Sequence, residues 1–342
     1  MARRELSPDQ LAVVQGVRAA LKASSDSWTR VRVACSGGAD SLSVAAALAW
    51  LDVHEPDPLR ASSALVVDHG LQAGSGEVTA GVVGTLRTLG LAATSVRVEV
   101  ADDPDGLEAA ARKARYAALA RGDIDLVLLG HTMDDQAETV LLGLARGSGT
   151  RSLSGMPARW SAASVVPGGD AVTFVRPLLG MRRATTRQAC LDWGLTPWDD
   201  PMNDDERFAR VLVRRLVPVM DDVLGPGLVE ALARTAALAR ADADHLDAEA
   251  LVLMDADAAG LPVAVVEDAP AALRGRLVRL WLAGQGVTEL SFERTQAVLG
   301  LVTAWRGQAG VDVPGGRRVV RRAGVLHVGQ PQGASCQHDC NA

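Results

Sequence analysis

Short apolar, β-branched runs alternate with longer helical patterns between Arg30 and about Leu179. The apolar runs are 31–35, 64–67, 95–100, 126–129 and 172–175. The helical patterns between them cover about 41–51, 76–89, 107–121, 135–146 and 181–193. Such alternation is typical of βαβ units, in which parallel strands are buried on both faces. We therefore predict an α/β domain with a doubly wound parallel sheet.

The acidic segment 198–206, which contains Pro201, separates this pattern from a different one. Helical patterns follow at about 207–223, 227–253, 270–284 and 291–306, and then a pair of short strands around 311–328. We predict a second, smaller, mainly helical domain. The expected division is 1–200 for the α/β domain, 201–225 for a linker and connecting helix, 226–330 for the second domain and 331–342 for a disordered tail.

Composition excludes several classes of protein. With 342 residues, 48% apolar and 22% charged, the chain is globular, and no apolar run is long enough to span a membrane. We expect a cytoplasmic protein without a membrane partner. Its 4 cysteines form no Cys-x-x-Cys pair, which argues against iron–sulfur and zinc-ribbon sites. Neither lysine, Lys22 or Lys113, follows a glycine, so a Walker A loop is excluded.

A six-residue motif lies between the first apolar run and the first helical pattern. It consists of Ser36, Gly37, Gly38, Ala39, Asp40 and Ser41. Adjacent glycines let a backbone approach a ligand closely, and the N–H groups at a helix start attract anions. A phosphate fits there, and Asp40 is compatible with it if a cation such as Mg²⁺ lies between them. The alternative is a glycine turn before a capped helix.

Two polar residues, Asp68 and His69, follow the second apolar run. Open α/β sheets bind ligands at the carboxyl ends of their strands, so both are candidates for nucleotide binding. A hydrogen-bonded strand terminus explains His69 equally well.

An acidic group follows the fourth apolar run, where His131 precedes Asp134, Asp135 and Glu138. Asp135 and Glu138 have the spacing of a capping box, which is the structural alternative. Three carboxylates within five residues exceed what a cap needs. Asp134 and Glu138, four residues apart on a helix, share one face and could receive an ammonium group. We interpret the group as functional.

Arginines occur at helical spacing in two places. Arg112 and Arg115 lie on the predicted helix 107–121, where Arg112 could simply pair with Glu108. The second set forms a stripe that suits a nucleic-acid backbone. It consists of Arg207, Arg210, Arg214 and Arg215. The alternative for this stripe is pairing with the acidic residues at 204–206.

The motif Ser36–Ser41 resembles the pyrophosphate-binding loop of the N-type ATP pyrophosphatases. VDHGL, GLEAAARKARYAAL, GHTMDDQAETVLLGLARGSG, RPLLG and DDPMNDDERFARVLVRRLVP follow it in the chain. In this order they resemble the tRNA(Ile)-lysidine synthetase family, in a short form without an extra C-terminal domain. The resemblance is strong over about 30–220 and weak over the helical domain. It implies an adenine nucleotide alpha hydrolase-like fold.

The resemblance also implies a function. Such enzymes use ATP to adenylate the C2 carbonyl of the first anticodon cytidine in a CAU-anticodon tRNA(Ile), and free L-lysine then displaces AMP to give lysidine. ATP would bind Ser36–Ser41 with Asp68 and His69, and Mg²⁺ would bind Asp40 and Asp134. The implied catalytic residues are Asp40, Arg112, Arg115, His131, Asp134, Asp135 and Glu138. The arginine stripe and the second domain would bind tRNA.

Some features depart from the family or favour rivals. Val211 stands where the family often has Asn after the residue matched by Arg210. A tRNA thiolase on the same scaffold would need cysteines that the α/β domain does not offer, since Cys35 lies in a strand pattern and Cys190 in a helix pattern. A noncatalytic ATP-responsive RNA-binding module would not need the intact acidic group. The oligomeric state, including a homodimer, is left open.

Overall fold

The computed structural model describes residues 5–22, 28–70, 74–98, 107–147, 149–161, 172–254, 260–287 and 290–329. The helices are α1 (Pro8–Lys22), α2 (Ala39–His54), α3 (Ser75–Thr88), α4 (Leu107–Leu119), α5 (Met133–Ala145), α6 (Thr150–Leu153), α7 (Arg183–Asp192), α8 (Ala209–Leu224), α9 (Leu228–Val252), α10 (Val263–Asp268), α11 (Ala271–Gly284) and α12 (Phe292–Thr303). The strands are β1 (Arg30–Ala34), β2 (Ala61–Asp68), β3 (Ala92–Arg97), β4 (Leu126–Leu129), β5 (Arg159–Ser161), β6 (Thr173–Val175), β7 (Gly260–Pro262), β8 (Val311–Val313), β9 (Arg317–Arg322) and β10 (Val325–Gly329). Within these ranges, no helix is long and apolar enough to cross a membrane.

The described strands of the first unit form one sheet in the order β3-β2-β1-β4-β6-β5. Neighbouring strands are parallel except for β5 and β6, which are antiparallel. The prediction of a parallel α/β sheet is confirmed. From β1 the strand order proceeds to one side through β2 and β3 and to the other side through β4 and β6, so it reverses between β1 and β4. Open α/β sheets bind ligands at such a topological switch point. The motif Ser36–Ser41 follows β1, and the acidic group follows β4.

Apolar helix faces cover both sides of this sheet. On one side α1, α2 and α7 contribute to a core that includes Val14, Leu48 and Ala189 around the buried side chains of β1. On the other side Tyr116 of α4 packs with Phe174 of β6, with ring centroids 5.2 Å apart. The two cores fix the helix starts and strand ends that carry the candidate site.

The second unit combines helices with an antiparallel sheet, whose described strands have the order β7-β10-β9-β8. Its core includes Leu277 and Trp281 of α11, Val298 of α12, Val319 of β9 and Leu326 of β10. The predicted helices are present. The sheet has four described strands where a pair was predicted, because the three-residue β7 is too short to show a periodic pattern and the predicted region around 311–328 contains three strands.

The chain divides into two compact units, residues 1–145 with 155–236, and residues 146–154 with 237–342. Helix α9 runs through the border between them. The functional assignment of 1–200, 201–225 and 226–330 stays a prediction, and the predicted tail at 331–342 lies outside the described residues.

Candidate active site

The loop between β1 and α2 has the geometry of an anion site. Gly37 has a φ of +89°, and a Cβ there would lie 2.6 Å from Cγ2 of Val82, so the position requires glycine. The Oγ of Ser41 accepts a hydrogen bond from the Ser36 N–H at 3.1 Å and donates one to the Gly38 carbonyl at 3.0 Å. Gly38 provides no side-chain cap for α2. The first N–H groups of this helix are therefore left for a ligand or water.

The end of β4 lies directly against the first turn of α2. A Cβ on Gly130 would come within 2.6 Å of the backbone nitrogen of Ser41 and 2.7 Å of the carbonyl carbon of Asp40. Because Gly130 has no side chain, the predicted nucleotide loop and the predicted acidic group meet at one point of the sheet edge.

Four carboxylates gather beside this contact and form what we call the acidic cluster. They belong to Asp40, Asp134, Asp135 and Glu138. Arg183, the first residue of α7, bridges them. Its guanidinium lies 2.8 Å from Asp135 Oδ1, 3.3 Å from Glu138 Oε1 and 3.4 Å from Asp40 Oδ2. Its backbone N–H donates to Asp134 Oδ2 at 2.8 Å.

Burial sets the charge balance of the acidic cluster. Burial raises the pKa of Asp40 to about 6, although Thr186 donates a hydrogen bond to this carboxylate and Arg183 lies beside it. Burial alone would also raise the pKa of Asp135, but Arg183 and the Thr132 N–H outweigh it and lower the value. Burial opposes the charge of Arg183 as well, yet the surrounding carboxylates raise the pKa of that guanidinium. Burial therefore disfavours the ionised form of Asp40, and Thr186 and Arg183 compensate only in part.

The helix cap and the buried acid of α5 are different residues. Asp135 accepts hydrogen bonds from the N–H and the hydroxyl of Thr132, both at 2.8 Å, so the capping pair is Thr132 with Asp135. Glu138 takes no part in this cap. Its side chain is 2% exposed and accepts a hydrogen bond from Arg214 Nε at 2.9 Å. The capping alternative therefore explains the position of Asp135 but does not explain that of Glu138.

A group of arginines surrounds His131 and Tyr116. Arg176 follows β6 and donates from Nε to His131 Nδ1 at 3.1 Å, while its own burial lowers its pKa to about 10. Burial, reinforced by Arg176, lowers the pKa of His131 well below its usual value, so the imidazole is neutral. Arg112 and Arg115 approach the Tyr116 ring, with Cζ atoms 4.9 Å and 5.4 Å from its centroid. Three guanidiniums therefore make this end of the sheet electropositive.

Asp68 and His69 end β2 in different ways. Asp68 Oδ1 accepts a hydrogen bond from the Gly70 N–H at 2.8 Å, which lowers the pKa of this carboxylate. The Nδ1 atom of His69 is buried without a hydrogen-bond partner among the described residues. Burial lowers the pKa of His69.

The predicted arginine stripe divides into two pairs. Arg210 and Arg214 turn toward α5, where Arg210 donates to Thr139 at 3.1 Å and Arg214 to Glu138 at 2.9 Å. Arg207, 85% exposed, pairs with Asp205 at 2.6 Å, and Arg215 pairs with Glu206. The four arginines therefore do not form one continuous exposed face. Their tRNA-binding role stays a prediction.

Magnesium was predicted at Asp40 and Asp134. Among the described residues, no three His, Cys, Asp or Glu side chains are grouped to hold a metal by themselves. Mg²⁺ in phosphate-transfer sites commonly takes only one or two carboxylates and completes its shell with phosphates and water. Asp40, a partly buried carboxylate whose ionised form a cation would stabilise, fits such a ligand. Asp134 already has Arg182 3.3 Å away.

Comparison with known proteins decides the family. A PP-loop domain model matches residues 12–220, and a model of the TilS substrate binding domain matches residues 261–327. The tRNA(Ile)-lysidine synthase of Nocardia farcinica is 52% identical over 291 residues, which cover 84% of this chain and 86% of that protein. The chain belongs to the tRNA(Ile)-lysidine synthase family.

Other synthases of this family match nearly the whole chain. That of Salinispora arenicola is 45% identical over 338 residues, covering 95% of this chain and 98% of its own length. A solved U34-tRNA thiolase from Methanococcus maripaludis with a [4Fe-4S] cluster has a TM-score of 0.52 and 18% identity, over 67% of this chain and 78% of that chain. That likeness shows the fold alone. In the present chain, a member of the synthase family, Cys35 and Cys190 are both buried.

Three residues of the candidate site were not predicted from the sequence. Arg176 stands in RPLLG, one of the segments that carry the family resemblance, and its position directly after a strand was an available signal. Arg183 and Thr186 contact Asp40 across 143 and 146 residues of sequence. No local pattern reveals contacts at such separations.

Proposed function

We propose that this chain ligates lysine to C2 of the wobble cytidine in the CAU anticodon of tRNA(Ile), with ATP consumed to AMP and pyrophosphate. The main structural support for this proposal is that Arg183 links Asp40 of the nucleotide loop to Asp135 and Glu138 in the first two turns of α5. A nucleotide loop beside a partly buried carboxylate cluster suits a reaction that joins an activated base to an amine. The names of the curated relatives support this assignment.

In the activation step, the loop from Ser36 to Ser41 would hold the phosphates of ATP through backbone N–H groups. The cytidine O2 attacks the α-phosphorus, the α–β phosphoanhydride bond breaks and pyrophosphate leaves. Mg²⁺, held by Asp40 and by the phosphates, would neutralise the charge of the leaving pyrophosphate. Arg112, Arg115 and Arg176 supply further positive charge near the same sheet edge.

In the ligation step, the ε-nitrogen of lysine attacks C2 of the adenylated cytidine. The C2–O2 bond breaks, AMP leaves with the oxygen, and the amine loses a proton. The carboxylates of Asp134, Asp135 and Glu138 are the proposed binding groups for the lysine ammonium. Glu138 is not used by the helix cap, but it already pairs with Arg183 and Arg214, so a lysine ammonium bound there would have to displace a guanidinium.

For tRNA, Arg207 is the best placed of the four predicted arginines because it is the most exposed. The match of residues 261–327 to a substrate binding domain supports a further tRNA contact in the second unit. We expect the protein to act in the cytoplasm, where ATP, free lysine and tRNA are available.

The test is transfer of radiolabelled lysine to an unmodified CAU-anticodon tRNA(Ile) transcript with ATP and Mg²⁺. A tRNA(Met) transcript, which has the same anticodon, is the control. We expect label on the isoleucine tRNA only, and none with Asp40→Asn. ATP cleavage to AMP without lysine transfer would retain the adenylating step and refute the lysidine assignment.

A further inference from the structure

The proposed reaction uses the charge of Arg176 but leaves its hydrogen bond to His131 without a role. The Nε atom of Arg176 donates to Nδ1 of His131 at 3.1 Å. Arg176 directly follows β6, His131 follows Gly130 at the end of β4, and the two strands are parallel neighbours in the sheet. The hydrogen bond therefore joins the carboxyl ends of two adjacent strands, and one of them lies at the switch point.

Further contacts hold Arg176 in this position. The residue is 4% exposed, and its Nη1 atom donates to the carbonyl of Pro157 at 2.5 Å. Its Cζ atom lies 4.0 Å from the centroid of the Trp160 ring, a cation–π contact. Its backbone N–H donates to the carbonyl of Ala158 at 2.8 Å. Because the guanidinium is fixed at its edge and over its face, the direction of its Nε–H toward His131 is fixed as well.

This hydrogen bond determines where His131 carries its proton. A guanidinium has only N–H donors, so the ring nitrogen that faces it must accept and carries no proton. Charged groups face His131 from three elements, which are Arg112 and Arg115 from α4, Asp135 from α5 and Arg176 from the end of β6. Burial, reinforced by the arginines and opposed only in part by Asp135, lowers the pKa of His131 well below its usual value. The imidazole is therefore neutral, and its one proton is on Nε2.

The surroundings of His131 favour an anion as the partner of this Nε2–H. The three neighbouring guanidiniums are positively charged and would repel an ammonium group such as that of lysine. Gly130, the residue before His131, lies against the backbone of Ser41 in the nucleotide loop. The donor is therefore next to the loop whose N–H groups would hold the phosphates of ATP.

We propose that Arg176 is a positioning residue that holds His131 as a neutral hydrogen-bond donor, with its Nε2–H directed at an oxygen of the α-phosphoryl group. This inference rests on the proposed function, which supplies that group as the acceptor. The oxygens of the group carry negative charge in both steps, when pyrophosphate leaves and when AMP leaves, and a fixed donor stabilises such charge. In this tautomer Nε2 has no free lone pair. His131 is therefore not the base that removes the proton from the lysine amine.

Heteronuclear NMR on the full chain with isotope-labelled histidine tests the tautomer, and the signals of His131 are those that His131→Gln lacks. In the wild type we expect a proton on Nε2, none on Nδ1, and no titration between about pH 5.5 and 8. Arg176→Met removes the donor and the charge, so His131 should lose this preference and titrate, and Arg176→Lys should restore it in part.

The matched control for the NMR experiment is Arg32→Met. Arg32 of β1 also donates to two backbone carbonyls, those of Leu119 and Arg121, but its loss should leave the His131 signals unchanged. Circular dichroism checks that each variant is folded. A wild-type His131 that carries its proton on Nδ1, or that titrates near its ordinary pKa of about 6.5, overturns the proposal whether or not the enzyme is active.

The kcat of lysine transfer tests the donor role. His131→Ala removes the donor and should lower kcat by about 100- to 1,000-fold, whereas His131→Gln keeps an N–H near the position of Nε2 and should lose about tenfold or less. Equal losses overturn the proposal, because glutamine is neither a base nor a cation. Arg176→Met should lower kcat more than it raises the KM for ATP, with partial recovery in Arg176→Lys. A wild type without lysine transfer would refute the proposed function, and the NMR result would then decide the tautomer by itself.

Discussion

A Cβ on Gly130 would lie 2.6 Å from the backbone nitrogen of Ser41. This closeness joins the end of β4 to the first turn of α2. The obstacle to any side chain at residue 130 is backbone, which cannot rotate away as a flexible side chain can.

Gly130→Ala should therefore displace the nucleotide loop. We expect a loss of ATP–pyrophosphate exchange of at least tenfold, together with a lower melting temperature, since overpacking against backbone costs about 1–3 kcal/mol. Gly81→Ala is the matched control because a Cβ at residue 81 of α3 meets no atom within 4 Å. It should raise stability by about 0.5–1 kcal/mol. Equal behaviour of the two variants would contradict the close contact.

Asp40→Asn should abolish exchange but stabilise the free protein at neutral pH. The folded-state pKa of Asp40 is about 6, above its ordinary value, so the ionised carboxylate lowers stability increasingly as pH rises from about 4 to 6. Above pH 6 the difference is constant, and we expect a melting temperature roughly 5 °C higher for Asp40→Asn at pH 7.5. At pH 4 the two proteins should melt together. A lower melting temperature for the variant at pH 7.5 would show that the carboxylate stabilises the fold.

Removal of Arg183 should be strongly destabilising. Arg183→Gln leaves the buried carboxylates of Asp135 and Glu138 without their bridging cation, which typically costs about 3–5 kcal/mol. Arg187→Gln on the same helix is the control, since Arg187 is 63% exposed and its pair with Asp199 is 3.6 Å long. Adding Glu138→Gln to Arg183→Gln should recover part of the loss. Thermal melting of the wild type, Arg183→Gln, Glu138→Gln and the double variant measures this coupling, and strictly additive losses would argue against it.

Substitutions of Arg207 and Arg214 should affect different properties, tRNA binding for Arg207 and thermal stability for Arg214. Arg207→Ala removes an exposed cation, so tRNA affinity should fall and its salt dependence should flatten by about 0.9 or less in log–log slope, with an unchanged melting temperature. Arg214→Ala leaves Glu138 without its 2.9 Å partner and should lower the melting temperature. Filter binding of tRNA at several salt concentrations and thermal melting separate the two. An unchanged salt slope for Arg207→Ala would refute its predicted contact with the tRNA backbone.

Periodicity predicted the sheet because buried parallel strands leave continuous apolar runs, as in β4 (Leu126–Leu129). It did not predict β5 (Arg159–Ser161), whose three residues are too few to establish a period. The acidic group at 134–138 was recognisable because its charge density exceeded what a helix cap needs. Arg183 was not recognisable, because an arginine at a helix start has no local signature and its contact with Asp40 depends on how α7 packs beside α2.

The bridging guanidinium of Arg183 makes any ligand of the acidic cluster a competitor. A cation that approaches the acidic cluster meets carboxylates that already have a counterion, and that counterion is tethered to the same chain at an effective concentration far above that of a free solute. Binding is then an exchange of cations, and its free energy is the difference between two similar attractions. A solute with a single positive charge and no further contacts is therefore expected to compete poorly with this tethered guanidinium.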